Sequence, residues 1–178
     1  IEAIDKMKIT HRKVVTIINE KGDQFAFAGD FYSDNVRIRH QSLFIYDKNG
    51  AEIMKLKGKN FSDRSAISSG TLYSDNRVSY AEFTPREYPY TIVYESEVES
   101  KSTIFLPDWS PVKGFYVSVE KSTYKILNSA NLKYRFRERN LENLQIRKEN
   151  STHDLTYTLS DFPAYRYQPV SYTHLRAH

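Results

Sequence analysis

His153 stands beside Asp154, and Ser65, Ser68 and Ser69 supply hydroxyls, so a nucleophile-and-base site is the first chemistry to weigh. Adjacent residues on a strand point to opposite faces, which keeps the imidazole and the carboxylate apart. No serine sits in the G-x-S-x-G pattern that exposes a nucleophile on a strained turn. A polar turn explains these residues better than acyl transfer does. A cation site is the second possibility, with Asp30 near Asp34 and Asp47 two residues before Asn49. A calcium loop closes with a bidentate Glu at about its twelfth position, and counting from Asp47 that position holds Gly58. Turn chemistry accounts for the Asp47 segment, and the sequence predicts no metal and no cofactor.

The third candidate is the stripe Lys133, Arg135, Arg137 and Arg139, with Tyr134 and Phe136 interleaved. Basic grooves with aromatic platforms bind single-stranded nucleic acid. Period-two alternation, however, places these aromatics on the face opposite the cations, the ordinary result of one buried and one wet face. Glu95, Glu97 and Glu99 form an acidic stripe on another predicted strand that could pair with it across strands. The structural reading outweighs nucleic acid.

The composition points the same way. The formal charge is +4, or +3 without Arg176, too small an excess to argue for a nucleic-acid or membrane partner. The absence of cysteine excludes disulfides, thiolate metal sites and a Cys nucleophile within this stretch. No apolar run approaches the roughly 20 residues of a membrane-spanning helix. The last nine residues, Val170 to His178, match the translation of a transposase-type sequencing adapter. They are set aside as a non-native tail, leaving one domain over residues 1–169. The chain begins at Ile1 without an initiator Met, so both ends are expected to be cuts in a longer parent.

The elements that must position these groups are strands. Fourteen Tyr and ten Phe accompany many Val, Ile and Thr, the types that fit a pleated surface. Val36 to Tyr46 predicts a strand, Asp47-Lys48-Asn49-Gly50 a tight turn, and Ile53, Met54 and Leu56 the return strand. Further strands are predicted over Arg77 to Phe83, Tyr90 to Val98, Phe115 to Ile126, Leu132 to Arg139 and Leu155 to Leu159. Asn140 to Glu149 reads as strand in preference to helix. The tetrapeptide Tyr-Ser-Asp-Asn recurs at Tyr32–Asn35 and Tyr73–Asn76 with different flanks, a coincidence and not a repeat. The fold class is all-β, an antiparallel β-sandwich. Pro89 marks a strand entry or edge, Arg77 is expected to pair with Asp75, and Trp109 between Pro107 and Pro111 reads as an anchor on a rigid connection. If the surface binds a ligand, Tyr88, Tyr90 and Trp109 are the candidate contact residues.

Seven segments in order carry a family resemblance. They are Tyr46 to Gly50, Lys55 to Lys57, Leu72 to Arg77, Tyr88 to Glu95, Leu106 to Trp109, Val119 to Tyr124 and Phe162 to Ala164. The succession, from about Val14 to Pro169, resembles the domain of unknown function of the DUF 3857 type that precedes transglutaminase-like cores in many Bacteroidetes proteins. Leu159 departs from it, standing where the pattern suggests Trp. The resemblance implies a periplasmic or secreted protein with a papain-like Cys-His-Asp core downstream. It assigns no catalytic residue to this stretch. The expected role is a non-catalytic accessory domain that docks against that core or presents substrate to it. The rival is an independent module binding envelope glycan or protein.

Overall fold

In the computed structural model, Asp47 closes the predicted hairpin. Its carboxylate accepts the backbone N–H of Asn49 at 2.8 Å and of Ala51 at 2.9 Å, and Gly50 takes the positive φ (80°) that the turn requires. The structure describes residues 1–66, 75–85 and 87–166, so Ser68, Ser69, Tyr73, Ser74 and the tail from Val170 lie outside the described residues. The hairpin joins β3 (Val36–Tyr46) to β4 (Glu52–Lys57). With β1 (Met7–Ile17) and β7 (Tyr90–Ser100) these form an antiparallel sheet in the order β1-β7-β3-β4. A second antiparallel sheet orders β2 (Gly29–Tyr32), β6 (Arg77–Tyr80) and β5 (Ser62–Ser65) as β2-β6-β5. A third orders β8 (Val119–Ile126), β10 (Leu155–Phe162) and β9 (Ile146–Asn150) as β8-β10-β9. The class is all-β and antiparallel, as the alternation predicts.

Within the span read as one domain, the chain forms two compact units, Ile1–Phe105 and a second from Leu106. The first holds two sheets in a sandwich-like pair. Leu43, Ile45, Tyr90, Ile92 and Tyr94 point inward from β3 and β7 and pack with Ile17, Ala26, Ala28 and Phe61. Each large apolar side chain so buried contributes about 1.5–3 kcal/mol. Polar bonds cross between the sheets as well. Tyr94 Oη donates to Asp30 Oδ2 at 2.6 Å, and Gln41 Nε2 donates to Tyr94 Oη at 2.7 Å and to the Ser79 carbonyl at 3.1 Å. Gly29 lies where β2 crosses β6 most tightly; a Cβ there would stand 2.7 Å from the Ser79 carbonyl oxygen. Only glycine fits.

The second unit is built on Ile126, Leu155, Tyr157 and Leu159, all buried along β8 and β10. Leu159, the departure from the family pattern, is 1% exposed and pairs with Ser122 and Ile146 in regular register.

Several sequence expectations need correction. The strand predicted at Leu132–Arg139 is irregular, bracketed by Asn131 and Asn140 at φ 52° and 56°. Side chains anchor it instead: Asn128 bonds both the carbonyl and the amide of Leu132, and Glu138 accepts from Lys148 and Tyr157. β6 ends at Tyr80 and β8 begins only at Val119, after Tyr116 at φ 63°. Arg77 pairs with Asp63 at 2.9 Å, not with Asp75, whose carboxylate accepts the Asp34 amide. β1 was missed, because His11 and Lys13 interrupt its inward-facing set of Met7, Ile9, Val15 and Ile17. β1 and β3 also supply the partners of the acidic stripe: Lys8 binds Glu97, Arg12 binds Glu95 and Arg39 binds Glu99.

Candidate functional site

The two prolines around Trp109 fix φ and remove donors, so residues 107–111 cannot join a ladder and run as an irregular connection. Side chains bolt that connection to β8. Tyr124 Oη donates to the Pro107 carbonyl at 2.7 Å, and Trp109 Nε1 donates to Ser122 Oγ at 3.0 Å. The indole stacks on Tyr124 with centroids 6.3 Å apart and meets the edge of Tyr157 at 6.0 Å. Trp109 is thus half-buried, with its polar edge satisfied and its position set by the sheet.

Beside it lies a cleft of about 640 Å³ whose lining includes Trp109, Arg139, Asn140, Asn143, Leu144 and Tyr165. The left-handed Asn140 and a turn closed by Leu144 N–H to the Leu141 carbonyl (3.0 Å) form one wall. Tyr165 forms part of the other, packed edge-on against Phe115 at 5.0 Å and Phe162 at 6.0 Å. Aromatic faces beside two carboxamides and a guanidinium suit a ligand with one apolar face and several hydroxyl or carbonyl groups. Arg139 appears in the sequence only as one of a cationic stripe, and Asn140, Asn143 and Tyr165 were missed. The Asn-x-x-Asn spacing across a turn was the available signal.

Tyr88 and Tyr90 belong to the first unit, apart from Trp109's. Their hydroxyls donate to the two oxygens of one carboxylate, Asp23, at 2.6 Å and 2.7 Å. Asp23 sits in a short 3-10 turn (Glu20–Phe25) that begins where the Asn19 side chain accepts the Lys21 amide. The arrangement ties that turn to the start of β7. The bond to Asp23 is the main reason the Tyr88 phenol is pushed up to about 12, whereas burial leads in raising Tyr90. Tyr90 is 2% exposed, so its ring serves the core while Tyr88 is half-buried. Pro89, between them, follows a cis peptide bond and directly precedes β7, the predicted strand entry.

The catalytic and metal candidates are placed as follows. His153 is exposed in a bend, and Asp154 Oδ1 accepts the Asn128 amide at 3.1 Å. Ser65 is exposed on β5. Asp30 accepts the Tyr94 hydroxyl, and the Asp47 carboxyl is held below its usual range by the Ala51 and Asn49 amides. Among the described residues no group of three His, Asp or Glu could hold a metal ion. No helix among them is long and apolar enough to cross a membrane.

Comparison with known proteins bears on the whole chain. Its fold is similar to a Parabacteroides distasonis protein whose crystal structure is described as that of a "putative protease". The TM-score is 0.62 at 12% identity, covering 94% of this chain and 34% of that one. This chain therefore spans about a third of that protein's length. No curated protein matches. The profile of the "Domain of Unknown Function with solved-structure structure (DUF3857)" matches residues 5–166, across both compact units, and the chain belongs to the DUF3857 family.

Proposed function

We propose that this chain is a non-catalytic accessory domain of a longer exported protein, lying N-terminal to a transglutaminase-like, papain-like core. Its role would be to dock against that core or to present substrate to it. The observation that carries the reading is the pairing of family membership with partial coverage: nearly all of this chain corresponds to a third of a protein described as a "putative protease". An apolar patch on the first unit supports docking. Ile4, Ile104 and Phe105 are 75%, 80% and 85% exposed, and Thr103 Oγ1 donates to the Ile4 carbonyl at 2.6 Å, which brings them together. Clustered exposed apolar groups mark interaction surfaces.

The test is to resequence the source DNA through the codon for Pro169. A frame continuing into one Cys, then a His and an Asp in papain-like order, supports the reading. A stop or an unrelated domain removes the protease link. The Trp109 cleft favours a second reading, a module that binds envelope glycan. Here Asn143→Ala, at an exposed cleft residue outside the aromatic contacts that hold Trp109, should weaken retention on immobilised envelope glycan while the circular dichroism spectrum stays unchanged. Unchanged retention in that variant would remove the glycan reading.

A further inference from the structure

Two backbone irregularities of the first unit meet at one cavity. β3 carries an extra residue at Arg39, where its register against β7 shifts between Ile38 and His40. Such bulges re-aim side chains and concentrate near functional sites. At the end of β4 the chain turns through Gly58 at φ 47°, a conformation that favours glycine. Between the two lies a cavity of about 880 Å³, open to solvent, with Arg37, Arg39, Lys57 and Lys59 in its lining. Among the described residues Asp63 is the single carboxylate in that lining.

Asp63 is already committed. It accepts from Arg77 through both oxygens and from the Tyr32 hydroxyl at 2.8 Å, and the Arg77 bonds hold its carboxyl below the usual range. Arg39 gives one N–H to Glu99 at 2.7 Å, but that carboxylate also faces Lys6 and Arg37 and cannot neutralise all three. Lys57 rests 5.9 Å over the Phe44 ring, a cation–π contact that steadies the ammonium without neutralising it. Among the described residues no carboxylate forms a salt bridge with Arg37, Lys57 or Lys59. Glu99 is the cross-strand neighbour of Arg37 as well as the partner of Arg39, so one carboxylate is shared between both arginines. A concave surface with cations of one sign focuses the field and concentrates anions.

We propose that this cavity is a binding site for a small ligand carrying at least two phosphate or carboxylate groups. Arg37 and Arg39 on β3 would hold one group with planar N–H donors, and Lys57 and Lys59 the other with point charges. The volume lies within the range of small-molecule sites and far exceeds the roughly 30 Å³ of one water. The site is independent of the accessory role.

Isothermal titration of the folded chain with tripolyphosphate and with citrate tests it. Saturable one-to-one binding of either probe, weakening as salt rises, is expected, and the tighter probe distinguishes phosphate from carboxylate. The double variant Arg37→Gln/Lys59→Gln changes two exposed side chains and should weaken that binding at least roughly tenfold with an unchanged circular dichroism spectrum. Arg12→Gln, outside the cavity, should leave the affinity within a factor of about two. Failure of both probes to saturate overturns the proposal. So does an equal loss in the Arg12 variant, which would show general charge attraction and no site.

Discussion

The two compact units solve the same problem with unequal means. The first places two sheets face to face and buries residues from four of its strands together with the segment before β2. The second has one three-stranded sheet and long irregular stretches, and holds them with aromatic contacts around Trp109, Tyr124 and Tyr157 and with the buried Asn128. Its strand β10 buries alternate residues from Leu155 to Leu159 and β8 buries Ile126, whereas β9 is exposed along most of its length. A second layer lets the first unit rely on apolar area. Without one, directional bonds from side chains must fix the second unit's connections. The same difference leaves a wide aromatic cleft in the second unit and a cationic cavity in the first.

The largest test of that contrast truncates one core residue in each unit. Leu43→Ala and Leu159→Ala each remove a side chain that is almost fully buried, and each should cost about 3 kcal/mol in urea unfolding. Amide exchange should quicken over β1, β3, β4 and β7 for the former and over β8, β9 and β10 for the latter. An equal rise in both units for either variant would break the comparison by showing one cooperative fold. Next come the buried polar groups. Tyr94→Phe removes the hydroxyl that serves the Asp30 carboxylate and one of the bonds of the Gln41 amide, and Asn128→Ala strands the Leu132 backbone, so each should cost about 2 kcal/mol by the same measurement. A cost near zero for Tyr94→Phe would mean that the first unit depends on apolar burial alone.

Alkaline pH sharpens the comparison through one phenol in each unit. Tyr88 is pushed up to about 12 first by its bond to Asp23, and Tyr157 to about 12 first by burial and then by its bond to Glu138. A folded pKa raised above the unfolded value of about 10 means stability that is complete below about pH 10. It is lost as pH rises through 12. Ultraviolet titration of phenolate should therefore show Asp23→Asn advancing Tyr88 strongly toward its ordinary value, and Glu138→Gln advancing Tyr157 less. Equal advances would show that burial matters no more in one unit than in the other. The smallest effect belongs to the surface ladder: Arg12→Ala, with a side chain exposed beside Glu95, should change stability by about 0.5 kcal/mol or less.

Much of the first unit was legible because its signals are local. The Asn49-Gly50 turn set a hairpin, and strict alternation from Tyr90 to Val98 marked a strand with one wet face. β1 was not legible, because a histidine and a lysine on its inward side break the apolar set. Only the fold shows His11 meeting the Tyr94 ring edge-on at 6.0 Å. In the second unit, alternation at Leu132–Arg139 suggested a strand where none forms, since period two records which side faces inward and not whether a neighbour offers a ladder. Trp109 was legible as an anchor from its flanking prolines, but its cleft was not, because Arg139, Asn143 and Tyr165 are distant in sequence and line it only in the folded unit.

By itself, then, the sequence determined the all-β class, the hairpin at Asp47 and the family, because turn residues, alternation and segment order are properties of neighbours along the chain. The tertiary structure alone decided that residues 1–105 and those from Leu106 form separate compact units, that Arg77 answers Asp63, and that four cations surround one cavity. Those are long-range choices, set by which side chains can satisfy charge and hydrogen bonds once the strands have packed.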